Sequence, residues 1–274
     1  MLARMKIGSF AKYFILVTSA ILTLFPFLWI LMSSFKTTNE IYESPFKIPD
    51  SFLFSNYITA WNDANIWIDF FNSAIVSIST VAILLLISAM ASYILARIWK
   101  NFAMSTFFAL GITVPYYAII IPIFITMTKI GLYNTRMGLL LIYVVSNMPI
   151  SIFILTGFMK GFPKEIEEAA WIDGASMSRT FFTIVLPLSK HGMATIGILG
   201  FMYSWNDFFI ANILISNPVL KTITQGIQNF QGAYQTNYGA MFAAMIIAIL
   251  PVVIAYLIFQ EQIIEGMTAG AVKG

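Results

Sequence analysis

Residues 161–188 read GFPKEIEEAAWIDGASMSRTFFTIVLPL, a charged, helix-patterned insert in a chain that is otherwise apolar enough to sit in lipid. Its residue types predict helix, turn, helix. Pro163 suits a first helical position, where a missing N–H loses no bond, and Glu165, Glu167 and Glu168 place negative charge near the positive end of the helix dipole. Gly174 after Asp173 predicts a left-handed helix stop, Ser176 caps a second helix, and Pro187 ends the apolar run Phe181, Phe182, Ile184 and Val185. Ala169, Ala170 and Ala175 put minimal side chains around the turn, so another protein surface can approach the backbone beside the Glu168 charge. Local physics leaves two readings open. The hairpin is either a docking element or an amphipathic pair lying on the membrane surface, with Ala present for its helix propensity.

The surrounding chain explains why such an insert stands out. Of 274 residues, 59% are hydrophobic and 10% charged, and the mean hydropathy is +0.84. A soluble domain of this length cannot hide that much apolar surface, so the class is an all-α polytopic membrane protein. Cysteine is absent, which excludes disulfides, thiolate metal sites and a cysteine nucleophile; the single histidine is His191. Metal ligands and catalytic residues are therefore expected to be none. The net charge of +3 bears on membrane orientation rather than on nucleic acid, for which the sequence offers no binding pattern. Arg4, Lys6 and Lys12 precede an apolar run too long for a signal-peptide core, and no small-residue cleavage site follows, so an uncleaved first span is expected.

Six stretches reach the ~20 apolar residues that a spanning helix requires: residues 13–35, 71–96, 102–128, 137–158, 192–215 and 240–259, within one transmembrane domain covering 1–274. Their even spread argues for that single domain. With the N-terminus inside, the outer segments hold only Lys36, Lys47, Lys129, Arg136 and Lys221 of the fifteen Lys and Arg. Both termini and the 161–188 loop are then expected on the cytoplasmic side of the membrane.

Between the first two spans, the acidic segment 36–70 contains Pro45 and Pro49, which favour extended backbone, and Ser55, which is expected to cap a short helix. Tyr57, Trp61 and Trp67 are candidate headgroup anchors, and the segment is either a solvated linker or a landing surface for an extracytoplasmic partner. Pro115, Pro122 and Pro149 are expected to bend spans three and four, for gating or for packing. Span five carries Tyr203, Trp205, Asn206 and Asp207. Asp207 is the one acid well inside an expected span. It is either a group on a transport path or a structural hydrogen-bond partner of a neighbouring span.

Glu168-Ala169-Ala170, Asp173-Gly174-Ala175 and Leu186-Pro187-Leu188 together resemble the EAA loop of permease subunits of binding-protein-dependent ABC importers. The one departure is Lys190-His191-Gly192, where relatives often carry a second proline. Asn72-Ser73, Gly131-Leu-Tyr-Asn-Thr and Trp205-Asn206-Asp207-Phe208 are similar to the sugar-importing branch, and Thr268-Ala-Gly-Ala-Val-Lys-Gly274 to a terminus in maltose-type importers. The resemblance implies a type I ABC importer permease fold with six transmembrane helices and a cytoplasmic coupling hairpin. It makes Glu168, Ala169, Ala170, Asp173, Gly174 and Ala175 the ATPase-coupling residues, and places Tyr203, Trp205, Asn206 and Asp207 on the substrate path. It also implies partners: a second permease, two ATPase subunits that bind ATP and Mg, an extracytoplasmic solute-binding protein, a sugar and membrane lipid. By composition alone, the tail from Glu261 is a flexible end; by resemblance it contacts the ATPase pair.

The chain has no G-x-x-x-x-G-K-[ST] sequence to cradle phosphates, so it is expected to be no enzyme and to receive its energy by contact. A secondary transporter of a small polar solute is the alternative, but ion coupling ordinarily needs several intramembrane acids or paired broken helices. An intramembrane enzyme lacks any H-E-x-x-H or G-x-S-x-G pattern to stand on.

Overall fold

A computed structural model describes the backbone of residues 2–230 and 236–271, and side chains of residues 9–262 other than 63, 229 and 231–235. Among these residues every regular element is helical. In chain order the α-helices are α1 (Leu2–Ser33), α2 (Thr38–Glu43), α3 (Ser55–Ile58), α4 (Ile66–Tyr93), α5 (Phe102–Thr113), α6 (Ile120–Lys129), α7 (Arg136–Lys160), α8 (Glu165–Ile172), α9 (Met177–Thr180), α10 (Leu186–Leu188), α11 (Lys190–Asn206), α12 (Phe209–Leu214), α13 (Ile223–Gly226) and α14 (Tyr238–Ala271). Three π-helical turns interrupt them, at Thr59–Asp63, Ile94–Ile98 and Phe181–Val185.

Among the described residues, four segments are long and apolar enough to cross a membrane: Ser9–Ser33, Ile66–Ile98, Arg136–Lys160 and Tyr238–Gln262. The expected third span is broken, with Phe102–Thr113 and Tyr116–Lys129 meeting at 89°. Val114 and Pro115 are both extended there, because proline disfavours helical backbone in the residue before it. Pro122 falls in the first turn of α6, where its missing N–H loses no bond, and Pro149 is absorbed within a continuous α7. The fifth span also differs from expectation. It does not run from 192 to 215: α11 begins at Lys190, at 75° to the preceding Met177–Leu188, and stops at Asn206. Counting each bent pair as one span gives six. At the C-terminal end the helix continues to Ala271, so most of the tail expected to be flexible is helical; residues 272–274 lie outside the described residues.

The chain divides into two compact units, Met1–Trp67 with Gly226–Leu250, and Ile68–Gln225 with Pro251–Gly274. In the first, the Phe35 ring lies against Phe52, Phe54 and Tyr57. The Lys36 ammonium is buried and donates to the carbonyls of Ser44 (3.0 Å) and Pro45 (3.3 Å), so two backbone acceptors replace part of its hydration. Thr37 and Glu40 form a reciprocal capping box at the start of α2. Ser55 does not cap α3: Phe54 occupies that position and Ser55 is the first helical residue. Tyr57, expected at the headgroups, instead shares a 2.7 Å hydrogen bond with Ser34 inside the unit, whereas Trp67 is 42% exposed.

In the second unit α7 lies against α5, α11, α12 and the π-helical turn at 94–98. Small residues set these approaches: a Cβ on Gly111 would press on the Pro149 ring, and one on Gly200 on the Leu84 side chain. Close backbone approach is a main source of cohesion between helices in lipid, where burying apolar groups gains little. One core gathers Val76, Leu139, Tyr143, Ile210 and Leu214. A second gathers Ala89, Tyr93, Leu155, Met159, Phe181 and Val185, and it is this core that carries the hairpin.

Candidate functional site

The hairpin comprises α8, a turn at 173–176, and α9 running into the π-helical turn at 181–185. Asp173 is the C-cap of α8. Gly174 has φ +80°, its N–H donating to Trp171 O (3.0 Å), while Ala175 N–H donates to Ala170 O (2.9 Å). This pair of bonds is a Schellman closure, which needs the left-handed backbone that glycine adopts without a Cβ penalty. Ser176 then caps α9, accepting from Arg179 N–H at 3.3 Å.

Two expectations about prolines need correction. Pro163 is not the first residue of α8; Lys164 is its N-cap and Glu165 its first residue, because the Arg97 guanidinium takes the carbonyls of Phe162 (3.0 Å) and Pro163 (3.2 Å). Pro187 does not end the helical backbone after the apolar run, since α10 spans it through Leu188. The strain is relieved one turn earlier, where Leu186 N–H bonds to Phe181 O in π geometry, a common accommodation of proline's lost donor and ring clash.

Arg97 anchors the whole base of the hairpin. Its Nε donates to Glu167 Oε1 at 2.5 Å, and the two side chains are 5% and 6% exposed. Of the six residues expected to couple, Glu168, Ala169, Asp173 and Gly174 face outward, Ala175 is half-buried and Ala170 is buried in the hairpin's own packing. Sequence reasoning missed the apolar tip: Trp171, Ile172 and Met177 are 44%, 86% and 50% exposed. Their lack of helical periodicity beside a charged run was the available signal.

The other end of this unit is tied by polar contacts between distant segments. Asn72 Nδ2 donates to the carbonyls of Val219 and Lys221, both at 2.9 Å, while its Oδ1 accepts from Arg136 Nε (3.0 Å) and Nη2 (2.6 Å). Ser73 Oγ accepts from Ile223 N–H at 2.8 Å. Asn134, at φ +59°, accepts from the N–H groups of Ser216 and Asn217. The Asn72-Ser73 and Gly131 to Thr135 motifs thus hold the 216–223 segment in place.

Asp207 ends α11 with extended backbone (φ −67°, ψ 130°). Its Oδ2 accepts from Tyr143 Oη at 2.8 Å and from Ala211 N–H at 3.0 Å, so one buried carboxylate joins α7 to the start of α12. This bonding is the physical reason the expected fifth span breaks at 207. Tyr203 packs edge-on against Tyr116 and Tyr143. Trp205 is 2% exposed, against Phe70 and stacked on Phe201, and Asn206 is exposed. Tyr203 and Asp207 are therefore brought together through Tyr143, whereas Trp205 and Asn206 point elsewhere. Tyr143, the residue joining them, was not foreseen, because one tyrosine in an apolar run carries no sequence signal of its own.

The diacetylchitobiose uptake system permease protein NgcG of Streptomyces coelicolor is 38% identical over 94% of this chain and 87% of its own length. The trehalose/maltose transport system permease protein MalG of Thermococcus litoralis is 34% identical over 94% of each chain. A chain of the crystal structure of a bacterial ABC transporter involved in import of the acidic polysaccharide alginate superposes with a TM-score of 0.81, at 21% identity, over 93% of this chain and 96% of that one. Residues 86–268, from the last turns of α4 through the hairpin into α14, match the family described as binding-protein-dependent transport system inner membrane component, and to that family this chain belongs.

Proposed function

We propose that the chain is one of two permease subunits of a carbohydrate ABC importer, forming half of the path and coupling it to separate ATPase subunits. The observation that carries this reading is the hairpin: a rigidly anchored base at Arg97–Glu167, a Schellman turn at Gly174, and an outward face combining the Glu168 charge, small residues and the apolar tip Trp171–Ile172. A charged and apolar face of this kind suits a cleft in another protein, with the hairpin moving as a rigid body when the ATPase dimer closes. The ATPase pair holds ATP and Mg and performs hydrolysis; this chain binds neither. The sugar class follows from the names of the relatives. The second permease, the two ATPase subunits and the extracytoplasmic solute-binding protein follow from the family's mode of transport.

In this reading residues 1–274 form one transmembrane domain with both termini and the hairpin in the cytoplasm of a bacterial or archaeal cell. Lys100, Lys160, Lys164, Arg179 and Lys190 cluster on the hairpin side, consistent with the inward bias of basic residues. Of the expected path residues Tyr203, Trp205, Asn206 and Asp207, Asn206 is exposed to meet a sugar hydroxyl, Tyr203 and Asp207 meet at Tyr143, and Trp205, buried against Phe70 and Phe201, supports them by packing. The test is purification of the complex, identification of the ligand carried by the co-purifying binding protein, and measurement of ATP hydrolysis with and without that loaded protein. Hydrolysis that rises with the loaded protein, together with a carbohydrate ligand, supports the reading. A complex with no ATPase subunit, or a ligand of another class, overturns it.

A further inference from the structure

Between α5 and α7, at the hairpin end of the second unit, lies a cavity of about 560 Å³, large enough for a small molecule or part of a lipid. Its walls are mostly apolar and include Leu95, Phe102, Phe108, Ile152 and Phe153. Ser105 and Thr106 add hydroxyls on the α5 side, and two further polar features matter more. Thr156 lines the cavity, is 9% exposed, and its hydroxyl has no hydrogen-bond partner among the described residues. Such a buried hydroxyl is costly unless something supplies a partner.

The second feature is the rim. Leu95, Phe102, Ser105 and Lys160 line both this cavity and an adjoining depression that carries Arg97, Lys100 and Lys164. Arg97 is neutralised by Glu167. Lys100, Lys160 and Lys164 are exposed, and none forms an ion pair among the described residues. The lining thus runs from apolar, past the hydroxyls of Ser105, Thr106 and the unpartnered Thr156, to Lys160, with Lys100 and Lys164 in the adjoining depression at the boundary of the spanning helices.

We propose that this cavity binds an anionic glycerophospholipid. The acyl chain occupies the apolar part, an ester carbonyl accepts from Thr156, and the headgroup phosphate lies among Lys100, Lys160 and Lys164. A free phosphate ion uses only the rim and leaves the apolar walls wet, whereas a packed helix leaves three ammonium groups without anions. A basic pocket between spanning helices is a known form of headgroup site. Because Lys160 ends α7 and Lys164 is the N-cap of α8, the headgroup sits at the base of the hairpin and braces it. The assignment to the cytoplasmic leaflet rests on the proposed orientation; the binding chemistry does not.

The experiment places the purified complex in nanodiscs of phosphatidylcholine with or without phosphatidylglycerol, extracts it, and counts retained lipid by native mass spectrometry. Two variants report on the two halves of the site. Lys100→Gln/Lys160→Gln/Lys164→Gln removes the rim charge. Gly157→Phe fills the cavity, since Gly157 lines it and a Cβ there meets no atom within 4 Å. Phosphatidylglycerol is retained by the wild type and weakened about fivefold per lysine removed, about hundredfold in the triple variant. Gly157→Phe also loses it. Equal retention of both lipids, competition by inorganic phosphate as effective as by phosphatidylglycerol, or cross-linking of a partner helix into the cavity each overturns the proposal. Retention is read independently of ATP hydrolysis and uptake, so failure here is separable from failure of the importer reading.

Discussion

Arg97 and Glu167, 70 positions apart, form an ion pair in which both side chains are at least nine-tenths buried, and the same guanidinium holds the carbonyls of Phe162 and Pro163. The pair joins the π-helical turn at 94–98, the end of the Ile66–Ile98 span, to the first helix of the hairpin, so a displacement of the hairpin is delivered directly to a spanning segment. Glu167 is thereby distinct from its neighbour Glu168: one carboxylate anchors and the other faces outward.

Removing one member of the pair leaves an uncompensated buried charge, which typically costs about 3–5 kcal/mol. Arg97→Met and Glu167→Leu are each expected to loosen the hairpin's base and lower the thermal stability of the second unit. The double variant should recover much of that loss. Thermal unfolding of the singles and the double decides it, and additive losses would show that the two residues act separately.

Glu168→Gln removes an outward charge without touching the hairpin's own packing. A charge-assisted bond to a partner is worth about 1.5–3 kcal/mol. The variant is expected to insert normally and to retain the ATPase subunits about 10- to 100-fold less tightly. Pull-down of the ATPase against wild type is the measurement, and equal recovery would remove Glu168 from the interface.

At Asp207 the carboxylate's two hydrogen bonds make shape as important as charge. Asp207→Asn keeps an acceptor for Tyr143 and Ala211, so assembly should survive while sugar uptake falls if the charge serves the path. Asp207→Ala strands the buried Tyr143 hydroxyl, at a cost of about 1–3 kcal/mol, and should reduce stability as well. Uptake per assembled complex, measured beside the melting temperature, separates the roles. Normal uptake in Asp207→Asn would leave Asp207 a purely structural bond.

Gly174→Val places a β-branched residue at φ +80°, which strains the turn by about 1–3 kcal/mol or forces it to reopen. No atom lies within 4 Å of a Cβ built there, so the penalty is one of backbone conformation and not of crowding. The variant should insert and keep its partner permease, yet ATP hydrolysis by the complex should no longer rise with loaded binding protein. Gly174→Ala should show a milder defect. Full stimulation in Gly174→Val would show that the turn's geometry does not transmit.

Much of the hairpin was legible because its determinants are local. Gly174 and Ser176 act on backbone groups within a few residues of themselves, and their chemistry predicts the turn and the cap found in the structure. Pro163 misled for a long-range reason: the carbonyls around it are claimed by Arg97, from another helix. The fifth span misled similarly. Apolar residues resume at Phe208 directly after Asn206-Asp207, so an average over a span-length window bridges the two polar positions, and the bonds from Tyr143 and Ala211 to Asp207 explain why the helix stops.

Composition and local chemistry by themselves determined that this is a helical membrane protein with a polar hairpin between two spans, since lipid tolerates only backbone that satisfies its own hydrogen bonds. Tertiary structure alone decided which polar side chains are anchors and which face outward. Arg97 with Glu167, Asn72 with Arg136, and Tyr143 with Asp207 are each more than 60 positions apart. Periodicity reports the face a residue occupies, but whether a buried charge or hydroxyl is tolerated there depends on a partner that only the packing of distant helices brings within hydrogen-bonding distance.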